Sequence, residues 1–119
     1  MTRFVILHHR LADGEHWDLM LEHQGTLLTW QLLSEPQGLE SLPIAARRIE
    51  NHRLAYLDYE GPISGNRGNV RRVEAGDVQV EQLDDSLCVF SLHGDLLVGR
   101  FRLVESESGW TLERQGEND

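Results

Sequence analysis

Short runs of alternating apolar and polar residues dominate this chain, and the three-to-four spacing of an amphipathic helix is nearly absent. Arg3–His8, Trp17–His23, Leu27–Leu33, Arg47–His52, Asn69–Val73, Val78–Leu83, Leu87–Leu92, Leu96–Val104 and Trp110–Arg114 each read as a strand rich in Val, Ile, Leu and aromatic residues. Turn-forming residues fall between them, at Asp13-Gly14, Gln24-Gly25, Pro62–Gly68, Ala75-Gly76, His93-Gly94 and Ser108-Gly109. Short strands with hairpin-length gaps predict an all-β fold, a small antiparallel β-barrel or strongly curled sheet. Only Ser34–Ala46 breaks the pattern. Glu35-Pro36-Gln37-Gly38 followed by Leu39-Glu40-Ser41-Leu42 predicts one short helical turn in a crossover before Pro43. Residues 1–114 are expected to form a single domain, and the polar stretch 115–119 a disordered tail.

The length of 119 residues suits one hydrophobic core. Its apolar runs, none longer than Phe4–Leu7, fall far below the roughly 20 residues that span a bilayer. The N-terminus enters a strand pattern at once and has no signal-peptide organisation, so no membrane association and a cytoplasmic location are expected. Cys88 is the single cysteine, flanked by Val89 and Phe90; this excludes an internal disulfide and a Cys-rich zinc site and predicts a buried thiol. A net charge of −9 argues against nonspecific coating of nucleic acid. The charge is uneven, however. Arg47, Arg48, Arg53, Arg67, Arg71 and Arg72 face only Glu50, Asp58 and Glu60 within residues 47–72, a basic island whose guanidinium forks suit phosphate oxygens.

Candidate chemistry gathers in the first third. By strand alternation Phe4, Ile6 and His8 share one face and Val5, Leu7 and His9 the other, while His16, Asp18 and Met20 project together from the next strand. A hairpin through Arg10–Glu15 would set His8 opposite His16, so that His8, His16 and Asp18 converge. Two imidazoles and one carboxylate form an open three-ligand site for a divalent metal.

The order of these motifs resembles a known family. Phe4-Val5-Ile6-Leu7-His8-His9, then His16-Trp17-Asp18-Leu19-Met20-Leu21-Glu22, then Leu28-Thr29-Trp30 are similar to the 3′-phosphoesterase domain of bacterial DNA ligase D. That family has a His-His pair, a His-Tyr-Asp-Phe-Arg-Leu-Glu segment and a strand ending in Trp. Ala46–His52 with Tyr56 and Asp58-Tyr59-Glu60-Gly61, and later Leu92-His93-Gly94, Gly99–Val104 and Trp110, continue the resemblance in order. It implies a small β-barrel that repairs DNA 3′ ends with a divalent metal, manganese foremost, removing a terminal ribonucleoside or 3′-phosphate. His8, His16 and Asp18 would be the metal ligands, and His52 and Tyr56 the catalytic contacts to the scissile phosphate.

Two departures stand out: Met20 occupies the place of a family arginine and Ser34 that of a lysine. Arg48, on the face of His52 by simple alternation, and Arg67 in the glycine-rich loop are candidate replacements for phosphate binding. The expected ligands are a nucleic-acid 3′ end or a small phosphorylated substrate, with DNA-repair proteins as partners. A second reading is a barrel that binds phosphate ends or a protein without catalysis. A third takes His16-x-Asp18 with His93 and Arg102 as a non-haem iron oxygenase site.

Overall fold

A computed structural model describes residues 1–116. Its strands are β1 (Arg3–Leu11), β2 (Gly14–His23), β3 (Thr26–Leu32), β4 (Ile44–His52), β5 (Gly61–Pro62), β6 (Asn69–Leu83), β7 (Leu87–His93), β8 (Val98–Ser106) and β9 (Gly109–Arg114). Eight of them close an antiparallel barrel in the order β1-β2-β3-β4-β9-β8-β7-β6, with β6 returning to pair with β1. Closure gives each of the eight a neighbour on both sides along part of its length, and the two-residue β5 remains as an edge strand on β6. The all-β barrel is as expected, and so is the single 3-10 turn of the crossover, Leu39–Ser41. No helix among the described residues is long and apolar enough to cross a membrane.

Side-chain alternation explains why the barrel interior fills. Phe4 and Ile6 of β1, Leu19 and Leu21 of β2, Trp30 of β3, Phe90 of β7, Phe101 and Leu103 of β8, and Trp110 and Leu112 of β9 form one buried core. On β8 the outward residues between them stay wet, as a one-sided strand requires. The first three strands differ. Phe4–Leu7, Trp17–Leu21 and Leu27–Trp30 are buried at every position, because a second layer covers their outer faces. Outward-facing Val5, Leu7, Met20, Leu27 and Val70 pack there with Leu57, Tyr56 and Ile63.

That covering layer is the connection from β4 to β6. It runs through a 3-10 turn at Leu54–Leu57, which sequence patterning did not reveal, and then β5, whose Gly61 and Pro62 pair with Val70 and Asn69. The loop closes with the Ile63 amide donating to the Gly68 carbonyl at 2.8 Å. Gly68 has φ +76°, and a Cβ there would stand 1.8 Å from the Arg10 carbonyl oxygen. Only glycine lets the loop lie this close to β1.

The predicted break at Ala75-Gly76 is absent, and β6 instead runs unbroken for 15 residues. Gly76 serves close approach rather than a turn, since a Cβ would lie 2.1 Å from the His93 carbonyl oxygen. Beside it, buried Glu74 holds the β7–β8 connection by accepting from the amides of Asp95, Leu96 and Leu97 at 3.1, 2.6 and 2.9 Å. At the C-terminus the Gln115 amide donates to the Arg100 carbonyl at 3.0 Å, one rung beyond β9. The remainder of the tail expectation, at 117–119, lies outside the described residues.

Candidate metal and phosphate site

The register of the first hairpin decides which histidine meets Asp18. β1 and β2 are joined by Ala12 and Asp13 alone, with Leu11 opposite Gly14, so His9 stands opposite His16 and His8 opposite Trp17. The expected pairing of His8 with His16 is one residue out of step, and in a strand one step exchanges the two faces. His8 accordingly turns to the inner side, stacks on Trp17 with ring centroids 4.8 Å apart, and pairs through Nε2 with Glu15 at 2.6 Å. His9, and not the expected His8, is therefore the histidine that stands with His16 and Asp18.

On the outer wall His9, His16 and Asp18 present one ligand atom each within 4.8 Å of one another. His16 Nδ1 lies 2.7 Å from Asp18 Oδ1, and His9 Nδ1 lies 3.4 Å from Asp18 Oδ2. The two imidazoles meet edge to face, centroids 4.7 Å apart. His9 Nε2 reaches the Arg67 carbonyl at 2.7 Å; a carbonyl only accepts, so Nε2 donates there and Nδ1 is the nitrogen turned toward Asp18. A second partner that fixes the tautomer in this way is the usual support of a metal-binding histidine. The donor set fits a divalent ion: two imidazole nitrogens, one buried carboxylate, and open space alongside.

That space is a cavity of about 110 Å³ lined by His9, Asp18, Gln31, His52, Tyr56 and Arg67, with Met20 in its floor. His52 reaches it through a β-bulge: Leu27 pairs with His52 but Thr29 with Ile49, so β4 carries an extra residue in this interval. The bulge reverses the face relation expected from alternation. His52 joins the outer wall, whereas Arg48, paired with Trp30, turns inward and lies over the Trp30 and Trp110 rings at 4.9 and 5.9 Å. Arg48 is thus removed from the phosphate-binding candidates and caps the core by cation–π contact. Arg67 stays at the cavity, and its Nε donates to the Ser64 carbonyl at 2.8 Å.

His52 Nδ1 donates to the Glu50 carbonyl at 3.0 Å, so Nε2 is the nitrogen left for a substrate. Its ring meets Tyr56 edge to face with centroids 5.4 Å apart. The third reading finds no support in this geometry. His93 ends β7, with β6 and β1 between it and β2, and Arg102 is engaged by Glu113 at 2.6 Å.

The model of the DNA ligase D 3′-phosphoesterase domain matches residues 7–105, a span that holds every residue of this cavity. The chain belongs to that family. Among its relatives, a multifunctional non-homologous end joining protein LigD from Mycobacterium bovis is 29% identical over 119 residues, covering 93% of this chain. The corresponding LigD protein of Pseudomonas aeruginosa is 30% identical over 131 residues and covers 94%. The chain spans only 16% and 15% of the length of these two relatives. Sequence reasoning missed His9 and Gln31 among the residues that line this cavity. Gln31 carried a usable signal: it alternates with Leu27 and Thr29 and pairs with Asp18 across the β2–β3 ladder.

Proposed function

We propose that this chain is a divalent-metal-dependent phosphoesterase that heals DNA 3′ ends, removing a terminal ribonucleoside to leave a 3′-phosphate, or a 3′-phosphate to leave a hydroxyl. The observation that carries the reading is the approach of His9 Nδ1 to Asp18 Oδ2 at 3.4 Å while Nε2 is tied to the Arg67 carbonyl. With Nε2 so engaged, Nδ1 and the Asp18 carboxylate face each other beside His16 as ligand atoms that one divalent cation can share. Membership of the 3′-phosphoesterase family supplies the reaction class.

His9, His16 and Asp18 would hold the ion, manganese being the expected one, and when bound it would offset negative charge on a phosphate oxygen. The protein's own groups account for the rest. A water oxygen bonds to phosphorus as the bond from phosphorus to the 3′-oxygen breaks, and His52, protonated at Nε2, gives its proton to that leaving oxygen. One water is consumed, and its protons end on the inorganic phosphate and, by re-protonation, on His52. Tyr56 donates its hydroxyl hydrogen to a nonbridging oxygen, and the Arg67 guanidinium offers a charged donor at the rim.

One observation favours the second reading, a pocket that binds phosphate ends without turnover. Met20, where the family pattern has arginine, is buried with 1% of its surface exposed, so one charged contact to phosphate is missing. Phosphate release from a 3′-phosphorylated primer–template in manganese separates the two. The phosphoesterase reading predicts metal-dependent release that falls about 100-fold in His52→Ala, the lower range for loss of a general acid, and disappears in Asp18→Ala. Metal-loaded protein that binds the primer end and releases no phosphate would contradict it.

A further inference from the structure

A second hollow adjoins the metal cavity and shares Tyr56, Ile63 and Arg67 with it. It encloses about 270 Å³, and Arg53, Tyr59 and Pro62 are among its other walls. Its aromatic floor is fixed: the Tyr59 hydroxyl donates to the Pro62 carbonyl, and the Tyr59 ring meets Tyr56 edge to face with centroids 6.0 Å apart. Its cations are unneutralised. The two nearby carboxylates are engaged elsewhere, Asp58 by Arg3 at 2.8 Å and Glu60 by the Arg72 amide at 2.8 Å. Among the described residues neither Arg53 nor Arg67 has an acidic partner, although the chain as a whole carries −9.

Aromatic faces bordered by guanidinium groups without acidic partners are the chemistry that receives a nucleobase and the phosphate attached to its sugar. We propose that this hollow is a nucleoside subsite for the residue carrying the scissile 3′-phosphate, with the base against Tyr59 and Pro62 and the 5′-phosphate on Arg53. The inference rests on the phosphoesterase reading and deepens it. Arg67, at the junction, lies between the scissile group and the nucleoside, and Tyr56 forms the partition. Selectivity for a polynucleotide end over a small phosphomonoester then arises outside the metal cavity, from Tyr59 and Arg53.

Two measurements on the full chain test it. Fluorescence anisotropy of a labelled 3′-phosphorylated oligonucleotide, without added metal, should give a Kd about tenfold weaker for Tyr59→Ala and for Arg53→Ala than for wild type, within the range for one stacked base. Tyr59→Phe, which keeps the ring, should bind within about threefold of wild type. In manganese, the ratio of kcat/KM for the oligonucleotide to that for glycerol 3-phosphate should fall about tenfold in Tyr59→Ala, through KM for the oligonucleotide. Folding of each variant is checked by circular dichroism, and an unfolded alanine variant is replaced by Tyr59→Leu or Arg53→Gln with the same expectation.

Equal oligonucleotide affinity in wild type and folded variants, or no affinity in wild type, would overturn the subsite. Failure of the phosphoesterase reading would look different: no hydrolysis of either substrate, with the loss of affinity in Tyr59→Ala and Arg53→Ala intact.

Discussion

Cys88 has no exposed surface inside the barrel, and burial pushes its thiol from 9.0 up to about 12, against a smaller opposing pull from Arg48. The thiolate is the reactive form, so the folded protein should resist iodoacetamide at about pH 8 and react only when denatured, as read by mass spectrometry. The sign of the pH dependence follows. A raised folded-state value favours the neutral thiol, so this contribution to stability is full below about pH 9 and is lost as pH rises toward about 12. Met20 makes a second residue-scale case. It packs with Val5, Leu7, Leu27 and Val70 in the cavity floor, so Met20→Arg restores the family's residue type only by forcing a longer, charged side chain up from an apolar layer beside Arg67. We expect it to lower stability by about 3 kcal/mol or more in urea titration, whatever it does to phosphate binding. At this scale the sequence was legible in type and misread in place. Two imidazoles beside Asp18 were foreseen, yet alternation alone cannot say which of two adjacent histidines faces it. That choice lies in the hairpin register, set by the two-residue Ala12-Asp13 link.

Elements were more legible than single side chains wherever one face meets water. β8 and β9 alternate and were read with small errors at their ends. The bulge in β4 was invisible, because Glu50 and Asn51 are ordinary polar residues with no glycine to mark the extra position. It moved Arg48 and His52 to opposite sides of the wall. The β5–β6 loop also escaped notice as a support for the metal site, although it supplies the Arg67 carbonyl to His9. Gly68→Ala tests that support. The added Cβ collides with the Arg10 carbonyl at positive φ, so the loop must lift. A stability loss of more than about 1 kcal/mol is expected, together with weaker manganese binding measured by calorimetry, since His9 loses the partner that orients it. A distant element gives a contrast. Glu74→Ala strips three amides of the β7–β8 connection of their acceptor and should cost about 3 kcal/mol. The Tm should fall, while manganese affinity below the transition is retained.

At the scale of the whole molecule, the barrel separates packing from chemistry. The large aromatic residues fill the interior, and the candidate site occupies the outer wall where the β4–β6 connection covers only part of three strands. The continuous apolar runs of β1, β2 and β3 were the trace of that cover in the sequence. Their meaning emerged only from the layer above them. His9, His16, Asp18, His52 and Tyr56 gather where the layer ends, so apolar packing grades directly into an open polar cavity. The central claim is that this outer wall, and not the barrel interior, binds the metal. Isothermal titration of manganese into His9→Ala and His8→Ala tests it most directly, because the two positions are adjacent in sequence and on opposite sides of the wall. The account predicts that His9→Ala loses measurable binding while His8→Ala binds within about threefold of wild type; loss of binding in His8→Ala with retention in His9→Ala would contradict it.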